Sequence, residues 1–375
     1  MNPWTPSRET YVNATTTGLG TYTPPDAPTV FENDGEDVTP DGLEKVSTKK
    51  DIVLKKNDIT MVFAKRLAGA VYRMTWKKHL VIPELESNGG SLQVALAFDI
   101  PLGESPEVEN PTEAGNVRDV YGKTTSKWMR AAASDSEVFT ETQMAYFYPP
   151  GDKVPSSDRG SRARGRGLLS DTFIKKRVTI GWHFSNVVNF DIHLRWSGDH
   201  YFANIQILTV YLSRDFDTLY LAKDGEAVRR KTPDPVNDLV ASSPPDTAYP
   251  IIVAKSKSAA VGLYAYSVPK LGRYKPTWQP WYQGDTRSSG GNDSGKGLVD
   301  VKLTPVTALW QWGDPANNGA RIPKKGRFGC CLVFGSVDKV AKTIDKLSRL
   351  LAREPTRTRP VKGVTARIAL NPAPV

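Results

Sequence analysis

The sequence predicts an all-β protein, a large antiparallel β-sandwich with one C-terminal helix and extended terminal arms. Three observations predict it. Residues 188–196 alternate Val188, Phe190, Ile192, Leu194 and Trp196 against Asn189, Asp191, His193 and Arg195, the period of a strand with one buried and one wet face. Similar stretches recur along the chain between turn residues, and 30 Gly and 28 Pro suit a fold with many turns. Helical spacing is evident once, in Val337, Val340, Ile344, Leu347 and Leu351 after the capping residue Ser336.

In chain order, residues 1–50 are polar, with Pro24, Pro25, Pro28 and Pro40 and the acids Glu32, Asp34, Glu36 and Asp37, and read as an extended arm. The sandwich is placed at residues 51–352. Strands are expected at 51–54, 59–64, 70–76, 79–82, 91–98, 140–148, 174–182, 187–196, 203–211, 249–266, 302–312 and 329–334, each rich in β-branched or aromatic residues. A polar excursion, 99–127, carries the hexapeptide Asn110-Pro-Thr-Glu-Ala-Gly115; loops of that length are often functional. Residues 151–170, with Arg159, Arg162, Arg164 and Arg166 among Gly and Ser, read as a flexible basic loop. Residues 222–248 read as a connector and 267–297 as loop. Residues 353–375 form a basic, Pro-rich tail, and no internal repeat is present.

Composition excludes several classes. With 375 residues, 39% hydrophobic and 24% charged, the chain can bury a core and is not disordered. A net charge of +10 raises nucleic acid, acidic glycan or membrane surface as partners. The excess lies in two loop-like stretches and the tail without a recognition motif, so nucleic acid is disfavoured. Cys330 and Cys331 are adjacent and would point to opposite sides of a strand, so neither a disulfide between them nor a zinc site is expected. Residues 1–23 lack an apolar core, and the longest apolar run is far short of the ~20 residues that cross a membrane. A soluble chain without a secretory signal is therefore expected, its compartment open. Neither a phosphate-cradling Gly-rich loop nor a nucleophile elbow occurs, and His and carboxylates are not spaced as metal ligands. No cofactor and no metal are expected.

Four sets of residues could carry chemistry. The excursion holds Glu104, Glu107, Glu109, Glu113 and Asp119; sugar chemistry commonly uses paired carboxylates. Glu113, in a tight turn near Asn110, is the best single candidate, against the plainer role of bracing the loop through backbone N–H groups. Of the histidines His79, His183, His193 and His200, His193 shares a strand face with Asp191 and Arg195 and could move a proton near neutral pH; His183 and His200 lie near strand ends. Trp310 and Trp312, two apart, and Trp128 offer aromatic faces for a sugar ring, against core filling. The arginines of 159–166 could grip phosphate or an acidic glycan, against a solvated loop.

Five short motifs occur in order: Ser91-Leu-Gln, Asn110-Pro-Thr-Glu-Ala-Gly115, Thr142-Gln-Met-Ala145, Val178-Thr-Ile-Gly181 and Tyr249-Pro-Ile-Ile-Val253. Over roughly residues 60–350 the chain resembles a group of poorly characterised bacterial secreted β-sandwich proteins of the galactose-mutarotase-like kind. The resemblance implies a supersandwich fold and contact with carbohydrate, and it brings no established catalytic residues. Ser91 departs from the group, where a basic residue follows glycine.

The first functional expectation is thus a carbohydrate-contacting sandwich, with Glu113, His193 and Asp191 as catalytic groups and Asn110, Arg195, Trp310, Trp312 and Trp128 as binding groups; turnover is left open. The alternative is a structural or assembly protein, of a virion or surface layer, whose arms wrap neighbouring subunits in a homo-oligomer.

Overall fold

The computed structural model describes residues 39–84, 91–99, 106–119, 123–154, 160–165, 167–230, 250–267, 277–286, 298–306, 312–313 and 321–353. In chain order the strands are β1 (Glu44–Lys45), β2 (Ile52–Lys56), β3 (Ile59–Phe63), β4 (Val71–Trp76), β5 (His79–Ile82), β6 (Gln93–Phe98), β7 (Pro111–Thr112), β8 (Lys127–Ala133), β9 (Glu137–Tyr146) and β10 (Leu169–Ile180). There follow β11 (Val187–Arg195), β12 (Phe202–Ser213), β13 (Thr218–Lys223), β14 (Glu226–Arg229), β15 (Ile251–Ser256), β16 (Ala259–Ser267), β17 (Thr277–Thr286), β18 (Leu298–Val306), β19 (Trp312–Gly313) and β20 (Lys325–Gly335). Helix α1 (Val337–Arg353) comes last.

All pairings are antiparallel. One 16-stranded sheet runs β14-β13-β15-β16-β20-β11-β10-β9-β7-β6-β12-β18-β17, with β8 also on β9, β1 on β8 and β19 on β12; β2 to β5 form a second, four-stranded sheet. The inner faces of the two sheets share one core. Leu54, Met61, Phe63 and Met74 of the small sheet pack with Ile174, Phe190, Ile192 and Leu194 of the large one. The connection between β3 and β4 seats on the large sheet, where the Thr142 hydroxyl donates to the Ala68 carbonyl at 2.6 Å. The predicted antiparallel sandwich with one late helix is the fold observed.

Helix α1 covers part of the opposite, outer face. Val340, Ala341, Ile344 and Leu347 pack on Val187, Ile252, Tyr264, Cys331 and Val333. A Cβ at Gly262 would lie 2.5 Å from Val340 Cγ1, so glycine on β16 is what lets the helix approach. Ser336 caps the helix as expected, accepting the Lys339 N–H at 3.3 Å. Among the described residues no helix is long and apolar enough to cross a membrane.

Several expected boundaries differ. Glu44 and Lys45, placed in the arm, pair with Ala133 and Ala132 of β8. Strand β8 lies at the end of the supposed excursion; β13 and β14 form a hairpin partly inside the supposed connector; β17 occupies part of the supposed loop 267–297. The stretch 249–266 is two strands, β15 and β16, turning at Lys257 and Ser258. The described part of the basic loop is tied down: Lys153 bridges Arg162, and the Arg164 N–H donates to the Val108 carbonyl at 2.9 Å. Arg159 and Arg166 lie outside the described residues, as do 1–38 and 354–375 of the arm and tail.

Candidate functional site

The chemistry-bearing side chains converge at one rim of the large sheet. There β6 ends at Phe98, β12 begins at Phe202, β7 and β10 begin, and β11 ends at Arg195. Asp99 follows Phe98 with φ of +42°, a left-handed conformation that aspartate tolerates better than most residues. Its Oδ2 meets His200 Nδ1 at 2.8 Å, and its Oδ1 accepts the Tyr201 N–H at 2.8 Å. The His200 ring stacks on Phe98 with centroids 3.9 Å apart and 12° between planes, and Phe98 packs on Trp196. A carboxylate only accepts, so Nδ1 carries a proton, and whenever the ring holds only that one its lone pair is at Nε2.

That nitrogen points at the turn after β11. A Cβ at Gly198 would lie 2.7 Å from His200 Nε2 and 3.5 Å from Asp171 Oδ2, so glycine leaves room between them. Asp171 Oδ2 is itself held by the N–H groups of Ser197 and Gly198, at 3.2 and 2.8 Å, and by the Ser197 hydroxyl. Glu109 closes the short 3-10 turn Pro106–Glu109 just before β7. Burial raises its carboxyl above the usual range; the charges of Asp99 and Asp171 add to that, while His200 and Arg164 oppose it. The rim therefore holds an oriented imidazole that can accept a proton and a carboxylic acid whose environment favours keeping one. Close by, Asp199 lies below the ordinary carboxylate range because Lys324 hydrogen-bonds to it, with Arg321 adding its charge.

Glu113, the best single catalytic candidate of the sequence, lies elsewhere. It is wholly buried on the inner face, where its carboxylate pairs with the equally buried Lys176 and accepts the Val94 N–H at 3.1 Å. Lys176 also donates to the Gly69 carbonyl at 3.4 Å. Asp191, His193 and Arg195 do share one face, but it is the outer one: the register pairs His193 with Lys175, and Lys176 with Ile192. Glu113 and His193 thus stand on opposite sides of the sheet, and the expected single site joining them does not form. The reason is the period-two alternation of β10, which sends Lys176 and its partner inward.

On the outer face Asp191 takes a bidentate pair from Arg327 at 2.8 and 2.6 Å, with His193 Nε2 at 3.3 Å. Burial works against its charge, but the hydrogen bonds and charges of His193 and Arg327 prevail and hold the carboxyl well below the usual range. Arg195 lies over the Phe173 ring at 4.2 Å. Trp128, expected to stack on sugar, is half-buried against the core, where a Cβ at Gly69 would lie 2.9 Å from its indole. Asn110 stands at the rim, its carbonyl accepting the Phe147 N–H at 2.8 Å. Trp310 lies outside the described residues; the backbone of Trp312 pairs with Ala203 at the start of β12. Among the described residues no three His, Cys, Asp or Glu side chains converge to hold a metal.

Asp99 and Asp171 escaped the sequence reading, and His200 and Glu109 entered it only as members of larger sets. The available signal was Asp99 itself, an aspartate ending the most apolar strand. Its partner lies about a hundred residues further on, and no spacing reveals that.

No family model matches the chain, and no curated protein matches it by sequence. Among solved structures it is similar to an aldose epimerase homologue from C. elegans (TM-score 0.40, 11% identity, 76% of this chain and 98% of that one). It is also similar to a galactose 1-epimerase from Lactobacillus acidophilus (TM-score 0.38, 10% identity, 76% and 93%). A third is a 4-alpha-glucanotransferase from Thermococcus litoralis (TM-score 0.33, 8% identity, 80% and 42%). Likeness of this size carries no argument about activity, which rests on the rim residues alone.

Proposed function

We propose that the protein acts on a small cyclic sugar at the rim, opening and reclosing its hemiacetal by paired proton transfer. His200 Nε2 takes the proton of the anomeric hydroxyl while Glu109 donates one to the ring oxygen; on closure the roles reverse. Asp99 is a positioning residue that fixes the imidazole tautomer. The observation that carries the reading is an Asp99-oriented His200 close enough to feel the charge of Glu109, a carboxyl that burial pushes upward. A glycosidase-like displacement fits less well, because Asp99 has both oxygens engaged and Asp171 is anchored by Ser197 and Gly198. The sugar itself comes from the sequence resemblance; the rim supplies the chemistry.

Polarimetry on freshly dissolved α-aldoses tests this. The wild-type protein is expected to speed mutarotation, and His200→Asn and Glu109→Gln each to slow it by a factor of about 10² to 10⁴. Asp99→Asn should lower the rate without changing KM, since it disturbs tautomer rather than binding. A wild-type rate equal to that of buffer, or an unimpaired His200→Asn, would overturn the reading.

A further inference from the structure

We propose that the outer face of β8, β9, β10, β11 and β20 is a docking platform for an acidic polysaccharide, whose reducing-end sugar, the one with a free hemiacetal, it places beside the rim. The proposal rests on the rim reading for its direction but on separate residues for its binding. Residues directly opposite on antiparallel strands share a face. The register lines up Lys127, Gln143, Phe173, Arg195 and Lys325 in one row across five strands. The next row holds Arg130, Glu141, Lys175, His193 and Arg327.

The acids of these rows are already used. Glu141 pairs with Arg130, and Asp191, one register step on, pairs with Arg327. Among the described residues Lys127, Lys175 and Arg195 form no ion pair, so the face keeps an excess of positive charge that a polyanion would match. Strands lie about 4.8 Å apart, so the first row spans about 19 Å, with a polar or cationic head at nearly every step. That spacing is close to the length one pyranose adds to a chain. The row passes beside the rim at its middle: Asp171 is two residues from Phe173, and Ser197, which holds Asp171, is two from Arg195.

The same observations favour a glycan over nucleic acid. Phe173 and His193 are the rings of the two rows; the Arg195 guanidinium already covers Phe173 and His193 Nε2 is engaged with Asp191, so the rows offer little for base stacking. A broad sheet face also cannot enter a duplex groove as a helix or ribbon does. Carboxylate or sulfate groups on a sugar chain need only the spaced cations.

Calorimetry with the full chain decides it, using oligogalacturonate and heparin oligosaccharides as probes, with dextran and single-stranded DNA as comparators. Acidic oligosaccharides should bind and weaken as salt rises, and dextran should not bind. The triple variant Lys127→Ala, Lys175→Ala, Arg195→Ala should lose about tenfold or more in affinity, and Arg195→Glu alone should show a smaller loss if the triple variant folds poorly. His200→Asn should retain polyanion binding, so failure of the rim reading leaves this result legible. Unchanged affinity in folded variants, equal binding of dextran, or tighter binding of DNA would overturn the proposal.

Discussion

Lys175 and Lys176 are neighbours in the chain and opposites in circumstance. Lys175 reaches the outer face with no ion pair among the described residues, while Lys176 is sealed against Glu113 between the two sheets. Cys330 and Cys331 are neighbours of another kind: one belongs to the inter-sheet core and the other lies under helix α1, so both are dry. What separates the two pairs is the second layer. Where α1 covers the outer face, both sides of a strand are core; beyond the helix the outer side belongs to water.

The largest effect expected from this contrast is at Lys176. Lys176→Ala leaves Glu113 buried without its cation and should cost about 3–5 kcal/mol, seen as a large fall in denaturation midpoint. Lys175→Ala should stay within about 0.5 kcal/mol. If the two variants unfold alike, the assignment of faces is wrong.

A smaller effect concerns pH, and here two carboxyls pull in opposite directions. The folded pKa of Asp191 is depressed, so its stabilisation is complete above the unfolded value near 4 and is lost as pH falls toward the folded one. The folded pKa of Glu109 is raised, so its protonated form favours folding at low pH, and that advantage is lost as pH rises through the folded value. Melting curves across pH should therefore show Asp191→Asn flattening the acid limb, with a cost of about 1–3 kcal/mol near neutrality from the stranded Arg327. Glu109→Gln should instead gain stability on the alkaline side. An unchanged acid limb in Asp191→Asn would refute the first assignment.

The smallest readout is thiol reactivity. Burial pushes both cysteine thiols upward in pKa, so neither is a ready thiolate. A thiol reagent should label neither until the chain unfolds, and should then label both; labelling of Cys331 alone in the native protein would mean that α1 lifts away.

The residues show why some of this was legible in advance. Strand β11 announced both its faces because its apolar set is unbroken from Val188 to Trp196, and α1 did so through Val337, Val340 and Ile344. Strand β8 was missed because Lys127-Trp-Met-Arg-Ala-Ala-Ala carries three alanines and no β-branched residue, so its strand character comes from β9 beside it. Glu113 stands out in the sequence as a position for either chemistry or bracing, and in the fold it braces, accepting the Val94 N–H and pairing with Lys176. The turn chemistry that fixed it was plain in the sequence, whereas Lys176, 63 residues on, was not. The rim site asks for several such connections at once, among Asp99, Glu109, Asp171 and His200, which the pairing of β6 with β12 and of β9 with β10 provides.

The continuity of the large sheet from β16 to β11 depends on β20. Among the last segments in sequence, it lies between β16 and β11, and so joins two portions of the sheet that have no other link along the strand order. A nascent chain has both flanking strands available well before residue 325 leaves the ribosome, and each then exposes a bare edge able to capture a neighbouring polypeptide. Insertion of a terminal segment into the middle of a ladder also makes for slow assembly, because distant parts must meet first. Chaperone demand during synthesis is thus written into the order in which the strands are made.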